Sequence, residues 1–169
     1  MNTSKGESQM ESLFRYNWMV REEWYNWCEQ CSEEELLAER TGGVGGILKT
    51  LLHIIDVEWS WIRMLQGKPD PQALFEEYGS LKRIRALDAE YHAEVAEFVA
   101  SWTDDMEHHL YQVPMTDGGN VQHFTWGEIM RHILVHEVHH IGQLSVWARE
   151  IGTEPVSANF IGRGLISEQ

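Results

Sequence analysis

The chain has 169 residues, 43% hydrophobic and 24% charged, a globular balance that excludes intrinsic disorder and suffices for one domain burying roughly two-thirds of its unfolded surface. Thirteen Lys and Arg against 27 Asp and Glu leave a net charge of −14, which repels a phosphate backbone and an anionic bilayer and so argues against nucleic acid and membrane as partners. The polar start Met1–Ser8 lacks the apolar stretch of a signal peptide, and no apolar run reaches the length of a membrane span, so a soluble, cytoplasmic protein is expected.

In chain order, Leu13, Tyr16, Met19 and Val20 begin a 3.6-residue period that Trp24 and Trp27 extend, predicting a first amphipathic helix from about Met10 to Cys31. Cys28 and Cys31 are the chain's two cysteines. Their C-x-x-C spacing sits late in a helical pattern, without the strand-to-helix context of a redox motif and without a second pair to complete a zinc site, so both are read as reduced thiols. Ser32 and Glu35 form a capping box that opens a short turn with Leu36 and Leu37. Thr41–Gly46, with four glycines in six residues, interrupts regular structure.

A second helix is predicted from about Val44 to Gln66, with Ile47, Leu51, Ile54, Ile55, Trp59 and Ile62 as its apolar set. Gly67, Pro69 and Pro71 stop it. A third runs from about Ser80 to Trp102. Segments 110–113 and 121–124 then flank the turn-rich stretch Pro114–Asn120, predicting a hairpin or long loop. A fourth helix opens at Thr125 with Glu128 as its capping-box partner and ends by Gly152, followed by an extended tail packed on the bundle. The expected fold is all-α: residues 1–169 form one four-helix-bundle domain with a small hairpin or long loop between its third and fourth helices. Eight tryptophans predict an aromatic-rich core.

Chemistry concentrates in residues 132–142, which hold four of the nine histidines. At about 100° per residue, His140 falls within the apolar stripe of the fourth helix, His136 and Glu137 lie at its edges, and His132 and His139 turn outward. Residues four apart are separated by about 6 Å along the axis and about 40° around it, so His136 and His140 can converge on one ion, whereas i and i+8 lie about 12 Å apart. Two imidazoles and a carboxylate leaning inward are costly to bury without a cation, which makes a metal site the preferred reading. A third ligand must come from elsewhere, and His53, His92, His108, His109 and His123 are the candidates. On the helical wheel His53 lies opposite the centre of its own helix's apolar stripe, so periodicity alone does not turn it inward.

His136-Glu137-Val138-His139-His140 also spells the zinc-protease string H-E-x-x-H. Its context is missing. Position 143 is Gln where the extended protease motif needs Gly, no downstream histidine follows, and one hairpin at most is predicted as strand. A metalloprotease is therefore the lesser alternative.

The stretch from Met130 to Leu144, with its H-x-x-H-H-x-G-Q ending, and the earlier Leu51-Leu52-His53 with Glu58-Trp59-Ser60-Trp61 resemble the DinB-like (damage-inducible) superfamily. The resemblance extends from the first helix to Gly152. It implies a four-helix bundle holding one divalent metal, nickel or zinc, on one His of the second helix and two of the fourth, which in this chain are His53, His136 and His140. Relatives in that superfamily include transferases that use low-molecular-weight thiols, and they are commonly homodimers. The resemblance therefore implies a thiol S-transferase or related hydrolase acting on a small-molecule substrate, with a low-molecular-weight thiol as a further cofactor. Ile141 stands where many members carry Arg, which removes an expected cation. Glu137 is expected either as general base or as hydrogen-bond partner of a ligand imidazole, the second being preferred. The non-enzymatic alternative is a metal-stabilised stress or binding module.

Overall fold

The computed structural model describes residues 8–70, 73–113 and 121–166. Four long helices carry the fold: α1 (Gln9–Cys28), α3 (Ile47–Leu65), α5 (Leu81–Ser101) and α6 (Trp126–Glu150), with two short ones, α2 (Glu33–Leu37) and α4 (Phe75–Tyr78), in the connections. α1 and α3 each pack against both α5 and α6, so the bundle runs α1–α5–α3–α6 around its axis. A 3₁₀ turn at Asp104–His108 and a two-stranded ribbon, β1 (Leu110–Val113) and β2 (Gln122–Thr125), precede α6. The ribbon is antiparallel with Leu110 opposite Thr125 and Val113 opposite Gln122. The expected turn at Pro114–Asn120 lies outside the described residues.

Local chemistry explains most helix starts. Ser8 accepts from the Glu11 amide and Ser80 from the Arg83 amide, while Ser32 with Glu35 and Thr125 with Glu128 each form reciprocal capping boxes. α3 begins instead at Gly46, with no side-chain cap. α1 ends at Cys28 rather than Cys31, and α3 starts three residues later than the periodicity suggested, because the glycine-rich segment holds Gly42, Gly43 and Gly45 at positive φ. Thr125→Ala is expected to destabilise the protein by about 1 kcal/mol, read as a lowered midpoint of thermal unfolding.

The core is aromatic, as the composition implied. Trp24, Trp27, Trp59, Trp102 and Trp147 are buried, and Trp59 stacks on Tyr91 with ring centroids 3.7 Å apart. Leu13 and Met19, read as part of the inward stripe of α1, are instead 40% and 38% exposed. That stripe is completed by Phe14, Asn17 and Arg21, all buried, so two polar residues occupy positions that an apolar pattern skips. Burial pushes the Cys28 thiol up to about 12 and both cysteines are free, which matches the reduced-thiol reading. The tail is strapped to α1: the Tyr16 hydroxyl donates to the Ala158 carbonyl at 2.7 Å and Trp27 Nε1 to the Glu154 carbonyl at 3.1 Å.

Candidate metal centre

α3 brings His53 and α6 brings His136 and His140 to one point on the wall between the two helices. His136 Nε2 lies 3.0 Å from His53 Nε2 and 3.1 Å from His140 Nε2. Among the described residues, these three form the His/Cys/Asp/Glu cluster able to share an ion, with donor atoms all within 4.8 Å of one another. His140 is buried, and His53 and His136 are half-buried. The cluster thus has an inner side in the core and an outer side toward solvent. This placement explains why the helical wheel could not place His53: its side chain leaves the apolar stripe of α3 and turns into the groove beside α6.

Tautomers can be read from the partners. His140 Nδ1 donates to Gln143 Oε1 at 2.8 Å, and Gln143 Nε2 donates to His139 Nε2 at 3.0 Å, which leaves the lone pair of His140 Nε2 facing His136. One proton on His136 Nε2 or His53 Nε2 can serve only one of the two close contacts in linear geometry. With the proton on His53 Nε2, the lone pairs of His136 and His140 face each other at 3.1 Å, an arrangement that a cation resolves. Zinc–imidazole bonds of about 2.0–2.1 Å separate neighbouring ligand nitrogens by roughly 3 to 3.4 Å; the two close separations match this, and all three donors lie within 4.8 Å of one another. Burial, reinforced by the neighbouring imidazoles, pushes His136 down to about 4. Burial likewise lowers His53 and His140. All three are therefore neutral at pH 7, the state in which imidazole binds metal.

Gln143 is the residue that periodicity missed, although it stands in the H-H-x-G-Q ending. Gly43 makes room for it: this glycine has φ +53°, and a Cβ there would overlap the Gln143 side-chain amide. Losing the hydrogen bond that orients a ligand imidazole costs about 10- to 100-fold in metal affinity. Gln143→Ala is expected to show a loss of that size by isothermal titration with zinc, with Gln143→Glu recovering part of it.

Glu137 sits next to His136 in sequence and away from it in bonding. Arg21 of α1 grips both its oxygens, Nε to Oε1 at 2.9 Å and Nη2 to Oε2 at 2.6 Å. Arg21 Nη1 also reaches Glu58 Oε1 at 3.0 Å and Asp88 Oδ1 at 2.9 Å. Trp18 Nε1 and the Tyr25 hydroxyl donate to the remaining oxygens of Glu58 and Asp88. This network of one cation and three carboxylates ties α1, α3, α5 and α6 together, and the hydrogen bonds of Glu137 run to Arg21. Burial raises the Glu137 carboxyl to about 7 despite Arg21, with Glu58 and Asp88 adding to the rise.

The remaining histidines stand apart. His92, His108, His109, His123, His132 and His139 are exposed, and of these His132 makes a ring contact with His136 and His139 with His140. Ile141 is 2% exposed in the core, so the arginine position singled out above is buried within the bundle.

A helical bundle with a three-imidazole cluster on facing helices defines a class of metal-binding bundle proteins. Residues 1–164 match the DinB family, and the chain belongs to it. It is also similar to the uncharacterized protein YizA of Bacillus subtilis (strain 168), at 48% identity over 156 residues, covering 92% of this chain and 96% of that relative. Among the described residues, no helix is long and apolar enough to cross a membrane.

Proposed function

We propose that this protein is a metal-dependent enzyme acting on small molecules, a thiol S-transferase or a related hydrolase, with nickel or zinc held by His53, His136 and His140. The observation that carries the reading is the convergence of three neutral Nε2 atoms from two helices at a half-open wall. A divalent ion held by these three side chains would supply Lewis-acid activation of a thiol or water at neutral pH. His140 is held in the ligating tautomer by Gln143. In the transfer a C–S bond forms between the thiol sulfur and an electrophilic carbon, the thiol proton goes to water, and the leaving group departs with its bonding pair. The salt bridge from Glu137 to Arg21 speaks against the protease alternative, since that carboxylate is already held.

The protein is read as a cytoplasmic homodimer. An apolar strip of Leu13, Val135 and Val138, 40%, 67% and 46% exposed, runs across α1 and α6 and supports self-association. The charge of −14 speaks against nucleic acid. The test is to titrate zinc-loaded protein with cysteine at pH 7 and follow proton release by calorimetry. Release with the wild type and none with His53→Ala supports the enzyme. A zinc-loaded protein that takes up no thiol and exchanges no water has a closed site, and the non-enzymatic module then replaces this reading.

A further inference from the structure

α3 and α6 run antiparallel where the imidazoles meet, so two turns beyond His53 lies opposite one turn before His136. At that level Trp61 of α3 faces His132 of α6, with ring centroids 5.7 Å apart and an interplanar angle of 75°. His132 in turn touches His136, centroid to centroid 5.9 Å. Aromatic rings therefore line one continuous wall from the metal cluster along the groove. Beside that wall is a recess of about 330 Å³ formed by Trp61, Phe124, Glu128, Ile129 and His132, with Phe124 reaching in from β2.

The chemistry of the recess is one-sided. Trp61, Phe124 and Ile129 give it apolar walls, and no Lys or Arg lines it among the described residues. The carboxylate among its described residues, Glu128, has Oε2 occupied by the Thr125 amide at 2.7 Å and hydroxyl at 2.9 Å. That group adds negative field without calling for a ligand, so an anionic group is disfavoured there. Its volume falls at the small end of the range of ligand sites, enough for one ring and a short linker.

We propose that this recess is the apolar subsite of the metal centre, taking an uncharged aromatic group of a small substrate whose reacting head lies at His53, His136 and His140. The proposal rests on the metal reading above and adds to it the class of molecule. Selectivity comes from ring burial against Trp61 and Phe124, and the fixed separation between recess and cluster sets the length of the linker.

The test uses the full chain loaded with cobalt(II) and thiols of the form phenyl–(CH₂)n–SH, n from one to four, with ethanethiol as reference. Binding is read from the thiolate-to-cobalt charge-transfer band. The expected result is that all bind, that one linker length binds at least about tenfold tighter than ethanethiol, and that Trp61→Ala removes this gain while ethanethiol stays within about twofold. Phe124→Ala, on the ribbon outside the four-helix bundle, is the second variant and shows the same loss. If every thiol binds but affinity rises steadily with n, or the aryl gain survives both substitutions, the subsite is refuted while the metal centre stands. If cobalt binds and no thiol, ethanethiol included, gives the band, the thiol-transferase reading fails and the subsite with it.

Discussion

Replacing His53 with alanine is expected to abolish tight divalent-metal binding, with affinity falling about 100-fold or more, since loss of a ligand exceeds the 10- to 100-fold cost of losing a partner that merely orients one. His53 is half-buried on the solvent side of the cluster, so the substitution leaves the core packing of α3 in place and circular dichroism stays unchanged. Metal content after gel filtration gives the stoichiometry and calorimetry the affinity. His132→Ala serves as the control: its side chain is exposed and belongs to the same histidine-rich turns, yet it lies outside the three-nitrogen cluster. Unchanged stoichiometry in His53→Ala would assign the third ligand elsewhere. The pH dependence has a definite sign. Protons compete with metal for imidazole, and the ligands are held below the ordinary value of about 6.5, His136 at about 4. Affinity is therefore expected to change little down to about pH 6.5 and to weaken as the pH approaches 4, the His136 value.

The largest loss of stability is expected from Arg21→Met. Arg21 is 2% exposed and is the cation bonded to Glu58, Asp88 and Glu137. Removing one partner of a buried ion pair costs about 3–5 kcal/mol because the others are left uncompensated, and here three carboxylates are left. Chemical denaturation at pH 7 measures it. In the wild type, the Glu137 carboxyl is raised on folding to about 7. An acid so raised binds more protons folded than unfolded, so the stability it contributes is full below its unfolded value of about 4.3 and is lost as pH rises through its folded value. Without Arg21 the Glu137 carboxyl loses its counter-charge and rises further, so the deficit of Arg21→Met is smallest at acid pH and widens above pH 7. Adding Glu137→Gln to Arg21→Met removes one of the stranded charges and restores part of the loss. A deficit that does not change with pH would show that lost packing, rather than stranded charge, dominates.

Both experiments turn on the same short segment, and it was only partly legible. The convergence of His136 and His140 follows from helical pitch, and their neighbour Glu137 lies at the edge of the apolar stripe by the same rule. Pitch places Glu137 about 80° from the midpoint of that pair, enough to send its carboxylate to a different helix. The rule says nothing of what waits there. Arg21 sits among apolar residues of α1 and carries no sign in sequence that it is buried. Its burial depends on Glu58, Asp88 and Glu137, which are 37, 67 and 116 residues away.

By itself the sequence determined the local features: where helices begin, through serine and threonine caps, that four long helices form, and that two imidazoles share one face of the last. These depend on residues three or four apart, whose geometry is the same in any helix of this pitch. Tertiary structure decided the rest. It turned His53 into the α3–α6 groove, set Gln143 over Gly43 to orient His140, and gave Glu137 to Arg21 rather than to the three imidazoles. Each of these is a contact between distant parts of the chain, and a periodicity that averages over one helix face records that a side is buried without recording what it meets.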